Sequence, residues 1–474
     1  MKIEFEPSEY NIYLQGKNKI VIWNTATDKM MSVNKGTELY NCYYNTNKKG
    51  EIKEYLLNGS IGSEESIHML CGLLNIKKAK SEEYSKYIKE ECTKKTEDSL
   101  EVVVTTTFGC NFGCAYCCQG TSKDFTVFDE NLVDNITYIL SNSNLKKLHV
   151  TWYGGEPLLH GKKIIKASGK LKQYCKEQNY SYTSDLLTNG YLLTTKICKE
   201  LTDADINFFQ ISLDGSKKNH DNSRYLKSGL PTFDAIMANI ESIEKNDDIK
   251  AKISVRININ SCENDAIDII NDLMEYKANT WKKTKFYLSP IEIRLGTDDI
   301  ENTNSQTPQK FSKLFNDFIQ IGKQKGIPLF IPGFYKGSCT TTKKNSMVID
   351  PKGNIFKCWD EVIKENLKVA TIDSKPDTIL EQIKNSNWST FKASNTSLCS
   401  TCKLLPACGG NCAIKHKETV EDEGFHSACP PIKLILKEYI LDRAISKGVL
   451  EHSEESIFQY SAVSLESLQM ASRK

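Results

Sequence analysis

Residues 101–118 read Glu101-Val-Val-Val-Thr-Thr-Thr-Phe-Gly-Cys-Asn-Phe-Gly-Cys-Ala-Tyr-Cys-Cys118. A strand of β-branched residues runs straight into a tight loop on which Cys110, Cys114 and Cys117 have the spacing C-x3-C-x2-C. Three thiolates on one loop suit three irons of a cubane iron-sulfur cluster and leave the fourth iron open for chemistry. A loop just past a parallel strand is where α/β active sites form. The other readings are a zinc knuckle and core cysteines that happen to cluster. Zinc needs a fourth nearby Cys or His, and Cys118, adjacent to Cys117, is poorly placed to close the same site.

Outward from this loop, strands alternate with helical patterns. Strands are predicted at 100–107, 147–153, 181–188, 206–213, 250–260 and 284–294. Helices are predicted between them at 129–140, 162–177, 195–201, 233–244 and 266–276. Six β-α repeats predict a parallel α/β sheet, open or curled into a partial barrel, with chemistry at the C-terminal strand ends. Before it, short strands at 11–14, 19–23 and 29–33 precede helical patterns at 36–44 and 63–74, which reads as a winged-helix-like module. Residues 78–99 read as a charged helix plus linker. After the repeats, 296–308 is polar and 309–325 is helical. A cysteine-rich stretch then spans 339–429, and 432–474 forms one or two amphipathic helices. The domains expected are 1–98, 99–315, a bridging segment 316–338, 339–430 and a helical tail 431–474.

The chain has 474 residues, enough for two to four domains. Its 62 Lys+Arg against 60 Asp+Glu leave a net charge of +2, which removes the bulk electrostatic case for a nucleic-acid or anionic-membrane protein. A 39% hydrophobic content excludes disorder across the whole chain. No signal peptide or spanning run of about 18 apolar residues is present, so a cytoplasmic location is expected. Thiols there are reduced, and the 17 cysteines read as metal ligands before disulfides.

Cys110, Cys114 and Cys117, with Tyr116 before the last, resemble the radical SAM superfamily. The resemblance implies a partial (β/α)6 TIM-like barrel. It also implies a 4Fe-4S cluster whose open iron is chelated by S-adenosylmethionine, giving a 5′-deoxyadenosyl radical that removes a hydrogen atom from substrate. Gly154-Gly155-Glu156-Pro157 after strand two resembles the family's GGEP motif, and its glycines would let backbone approach the ligand ammonium. Thr188-Asn189-Gly190 resembles the segment near the ribose. Ser212 and Arg224 match residues that hold the cofactor's carboxylate. Asp214-Gly215 reads equally as a turn. Arg256, Asn258 and Leu288 either line the pocket or serve ion pairing and core packing.

Cys339, Cys358, Cys399, Cys402, Cys408, Cys412 and Cys429 are too many for one tetrahedral site and suggest two; zinc ribbons are the alternative. Their spacing resembles the SPASM extension of radical SAM enzymes. The resemblance implies one auxiliary 4Fe-4S cluster on Cys399, Cys402, Cys408 and Cys429 and another on Cys339, Cys358 and Cys412. Cys262 lies too far upstream to complete the second, which predicts an open iron or a non-Cys ligand. Sulfatase-maturing relatives carry Asp directly after the second Cys of this group. Here Trp359 stands there and Asp360 follows, which counts against formylglycine formation and leaves Asp360 as a catalytic candidate.

Residues 1–98 resemble PqqD-like leader-peptide recognition domains, with 29–33 the edge for strand addition. A nucleic-acid-binding winged helix is the competing reading, disfavoured by the low Arg content. The function expected is oxidative modification of a ribosomally made precursor peptide. A Cys thioether is favoured over a carbon-carbon cross-link or epimerisation. The enzyme would be served by a flavodoxin or ferredoxin, with no nucleic-acid or membrane partner. A radical enzyme acting on a small molecule or tRNA, and a three-cluster electron-transfer scaffold, are the alternatives. Cys42, Cys71, Cys92, Cys118, Cys175, Cys198 and Cys262 are left as ordinary thiols.

Overall fold

The structure, a computed structural model, describes residues 5–8, 10–37, 74–76, 98–114, 116–117, 124–259, 265–291, 308–331, 334, 339–386, 388, 391–417, 421–422, 425–426 and 428–458. The chain folds into two compact units. One comprises 1–95, 333–339 and 391–474, and the other 96–332 and 340–390. The helices expected at 63–73 and over most of 36–44 lie outside the described residues, as do Cys42, Cys71, Cys92, Cys118 and Cys262.

In the first unit β1 (Phe5–Pro7) pairs antiparallel with β5 (Leu74–Ile76), so Leu74 opens a strand where a helix end was expected. Between them β2 (Asn11–Gln15), β3 (Lys19–Asn24) and β4 (Met30–Asn34) form an antiparallel meander with β4 at one end.

The second unit follows the predicted alternation closely. Its elements are β6 (Ser99–Thr105), α1 (Asn131–Ser141), β7 (Lys147–Tyr153), α2 (Gly161–Glu177), β8 (Ser181–Thr188), α3 (Thr195–Asp203), β9 (Ile206–Asp214), α4 (Lys217–Ser223), α5 (Phe233–Glu244), β10 (Lys252–Ile259), α6 (Ala266–Glu275), β11 (Thr284–Pro290) and α7 (Pro308–Lys325). The sheet runs β11-β10-β9-β8-β7-β6 in parallel, then β12 (Ser346–Ile349), also parallel to β6, and the antiparallel β13 (Asn354–Phe356) and β14 (Ala370–Thr371).

Register separates two faces. Trp152, Leu186 and Phe209 lie side by side, as do Ile211, Val255 and Phe286, and all six are fully buried. Helices cover this apolar face; α5 buries Phe233, Ile236, Met237, Ile240 and Ile243 at helical spacing. The opposite face aligns Ser212 with Arg256 and Tyr287, and Asp214 with Asn258 and Ser289. Strand alternation thus gives a greasy back and a polar lining.

Three expected boundaries move. The helix α7 runs unbroken through 315/316, and Leu329 bridges in parallel to Phe286 on β11, so much of the 316–338 segment belongs to the sheet unit. β12 to β14, with α8 (Pro376–Lys384), carry 340–390 into that unit too, because β12 completes the hydrogen bonding of β6. The remaining cysteine-rich part and the tail share a unit with the N-terminal strands. The helices α9 (Ser397–Ser400), α10 (Leu405–Cys408), α11 (Ala413–Lys417) and α12 (Leu436–Ser446) belong there. Trp23 of β3 packs between Phe334 and Tyr439 of α12 at centroid distances of 5.9 and 5.5 Å. Arg443 of α12 pairs with Asp28, and Lys19 pairs with Glu454.

Candidate active site

The cysteine loop leaves the C-terminal end of β6 and is stitched to the end of β7. The Thr106 N–H donates to Tyr153 O at 2.8 Å, the Gly155 N–H to Thr107 O at 2.8 Å and the Glu156 N–H to Gly109 O at 2.9 Å. Gly154 has φ +136°, and a Cβ there would sit 2.4 Å from Thr107 O. A Cβ on Gly155 would sit 2.1 Å from Gly109 O. The two glycines therefore admit the backbone of the cysteine loop.

Glu156, which the motif resemblance groups with the cofactor-binding residues, is spent on the protein. It is fully buried, and its carboxylate accepts from Leu158 N–H at 2.9 Å, Thr188 Oγ1 at 2.7 Å and Asn189 N–H at 2.8 Å. Burial raises its pKa even so, against the three hydrogen bonds and Arg224. Glu156 thereby fixes Asn189, whose Nδ2 donates to Asn111 Oδ1 in the cysteine loop at 2.8 Å. Leu288 is the other misplaced residue. It is 2% exposed and aligned with Ile257 on the apolar face, so even-odd alternation turns it away from the polar lining.

A charged network occupies the polar face beside the loop. Tyr116 OH donates to Asp214 Oδ2 at 2.5 Å and accepts from Arg224 Nη1 at 2.9 Å. Asp214 also accepts from Ser223 Oγ at 2.8 Å and Asn258 Nδ2 at 3.1 Å, while Arg256 Nε donates to Asn258 Oδ1 at 3.0 Å. The Arg224 guanidinium lies 5.7 Å from the Phe112 ring centroid. Burial opposes its charge, but Tyr116, Asp214 and Cys114 hold its pKa well above the ordinary value. Asp214, legible in the sequence only as half of a turn dipeptide, is the hub. Its buried carboxylate balances a buried cation, and the turn at Gly215 is what presents it there.

Behind the network, Asp214 N–H donates to His220 Nδ1 at 3.2 Å, which leaves the proton on Nε2, 2.9 Å from Thr232 Oγ1. Burial and Arg224 push the His220 pKa well below 6.5.

The residues fit the cofactors that the motif implies. Cys114 is pushed up to about 11 by burial, with Arg224 opposing and Asp214, Cys110 and Cys117 adding to the rise. The three thiols are thus close enough to feel one another. Among the described residues Arg224 Nε is buried without a hydrogen-bond partner, a donor placed for a carboxylate. In the first unit Cys399, Cys402, Cys408 and Cys429 line one cavity, and burial drives Cys408 up to about 12. A group that holds these sulfurs as thiolates would reverse that preference. Among the described residues no three His, Cys, Asp or Glu side chains converge on a single ion. Cys339 and Cys412 belong to this first unit and Cys358 to the second, where its thiol donates to Asp360 Oδ2 at 3.7 Å. Cys175 and Cys198 are fully buried in the barrel unit.

Residues 104–260 match the radical SAM superfamily. GTP 3',8-cyclase of Helicobacter pylori is 34% identical over 182 residues, 37% of this chain and 51% of that protein, so the chain spans about half the length of these curated relatives. Among solved structures, native anSMEcpe with bound AdoMet superimposes with a TM-score of 0.54 at 19% identity, covering 73% of this chain and 97% of that one. Streptococcus suis SuiB bound to its precursor peptide SuiA gives 0.50 at 15% identity, covering 87% and 97%. No helix among the described residues is long and apolar enough to cross a membrane. The motif loop, the parallel sheet and the family match together identify residues 104–260 as a radical SAM domain, carried in a chain whose fold is similar to those of the anSMEcpe and SuiB structures.

Proposed function

We propose that the protein is a radical SAM/SPASM oxidoreductase that modifies a ribosomally made precursor peptide, most simply by joining a Cys sulfur to a carbon of another residue. The observation that carries the reading is the pairing of two thiol constellations in one chain. One stands on the radical SAM loop at the mouth of a polar-lined sheet, and the other is a four-cysteine cavity in the unit that also holds the N-terminal meander. When bound, the cluster and S-adenosylmethionine supply hydrogen-atom abstraction from an unactivated carbon. The protein's part is placement. Arg224, held by Tyr116 and Phe112 and neutralised by Asp214, offers Nε to a carboxylate. Ser212 and Arg256 share the adjoining row. The row of Asp214, Asn258 and Ser289 carries this polar lining to the strand ends.

Joining sulfur to carbon consumes one S–H and one C–H, so a second electron must leave after the first hydrogen is taken. A four-thiolate auxiliary cluster is a suitable acceptor. The end strand β4 offers a backbone edge for an extended leader, and SuiB, similar in fold, has been solved with a precursor peptide. The test is anaerobic incubation with S-adenosylmethionine, a reductant and the Cys-bearing peptide of a neighbouring short reading frame. The expected product has lost two hydrogens per cross-link and one alkylatable thiol, with 5′-deoxyadenosine formed alongside. A product that keeps its free thiol would refute the thioether, and failure to form 5′-deoxyadenosine would refute every catalytic reading.

A further inference from the structure

One turn beyond Cys429, the backbone N–H of Lys433 donates to Pro430 O at 2.9 Å. The side chain turns back into the four-cysteine cavity, where its Nζ donates to Cys429 Sγ at 3.5 Å. Lys433 is only 7% exposed, and the surrounding walls include Phe334, Leu404, Leu405, Ala428 and Pro430. In so apolar a setting a charge is felt strongly at short range. Its influence reaches the Cys399 and Cys402 thiols as well, opposing the upward push of burial on each. A buried ammonium is costly beside neutral thiols and well matched to thiolates. Four thiolates around a 4Fe-4S core make a net dianion, and one added electron makes a trianion. A fixed cation therefore favours the reduced state more than the oxidised one.

We propose that Lys433 is a positioning residue for the auxiliary cluster of Cys399, Cys402, Cys408 and Cys429, holding its reduction potential high enough to accept an electron. This rests on the cluster reading above, and the two are separable. Iron and sulfide content and an EPR-monitored potentiometric titration are measured on anaerobically reconstituted full-length protein. The variants are Lys433→Met and Lys433→Arg, in a background in which Cys110, Cys114 and Cys117 are Ala. With iron retained, Lys433→Met should lower one cluster's reduced-to-oxidised ratio at fixed potential by at least about tenfold, about 59 mV for one electron, and Lys433→Arg should restore it. Retained iron with an unmoved potential overturns the proposal. Loss of this cluster in Lys433→Met but not in Lys433→Arg also supports it, since only the charge distinguishes them in kind; loss in both overturns it in favour of a packing role. If replacing all four cysteines by Ala leaves iron content unchanged, the cluster reading itself fails.

Discussion

Replacing Gly155 by Ala should disable the radical site through the backbone alone. The new Cβ would lie 2.1 Å from Gly109 O, 2.6 Å from Phe108 O and 2.7 Å from Gly109 C. All three are main-chain atoms of the cysteine loop, so no flexible side chain can yield. Ordinary C···O contact begins near about 3.3 Å, so the loop must withdraw by about 1.2 Å. The Gly155 N–H bond to Thr107 O and the Glu156 N–H bond to Gly109 O, at 2.8 and 2.9 Å, are strained by the same movement. Overpacking at about 1–3 kcal/mol, with about 0.5–1.5 kcal/mol for each weakened hydrogen bond, gives a loss of about 2–6 kcal/mol. A displacement of about 1 Å also costs roughly 100-fold in rate. Gly169 in α2, where an added Cβ meets nothing within 4 Å, is the control. Gly169→Ala should gain about 0.5–1 kcal/mol and leave the rate alone. The assay is 5′-deoxyadenosine formation, with iron content and thermal unfolding on the same samples. A Gly155→Ala protein with wild-type rate and melting temperature would show that the loop does not rest on this glycine.

Three further outcomes are expected. Glu156→Gln sets an amide N–H2 against one of three donors, costing about 1–3 kcal/mol, and should lower the melting temperature by several degrees; an unchanged melting temperature counts against the buried carboxylate bridge. Arg224→Lys removes the planar fork beside Tyr116 and Phe112 and should raise the KM for S-adenosylmethionine by about 10- to 100-fold with iron content unchanged; equal KM values would release Arg224 from cofactor binding. His220, neutral in the fold because its pKa is depressed, makes no demand above about pH 6.5. Below that the unfolded chain takes up a proton that the folded chain refuses, so stability falls with pH by up to about 1.4 kcal/mol per unit. Denaturant titrations between pH 5 and 7.5 should show a shallower slope for His220→Gln, and parallel slopes would refute the assignment.

The strand-helix alternation was readable because each element carries its own period. The apolar run of Val102, Val103 and Val104 and the helical spacing of Phe233, Ile236, Met237 and Ile240 survive into the fold almost unchanged. The C-x3-C-x2-C loop was readable because ligand spacing is local. What escaped depends on pairing between distant segments. β12 is four residues long, too short for a period, and is a strand only because β6 offers it an edge. Leu288 was misassigned because a residue's strand does not reveal its face until register is known. Asp214 looked like a turn residue since Arg224 and Tyr116 reach it from elsewhere. The unit boundaries were hidden for the same reason, Asp28 meeting Arg443 across more than 400 positions.

That closure by segments on either side of the radical SAM domain imposes an order of events during synthesis. Trp23 and Asp28 emerge from the ribosome early, while Tyr439 and Arg443 follow after the whole radical SAM domain has appeared. At about 5–20 residues per second, this leaves the N-terminal meander without its partners for roughly 20–80 s. The barrel has local β-α-β neighbours and is free to fold during the wait. The first unit, with its cysteine cavity, must therefore be assembled last, once the residues around Arg443 have emerged.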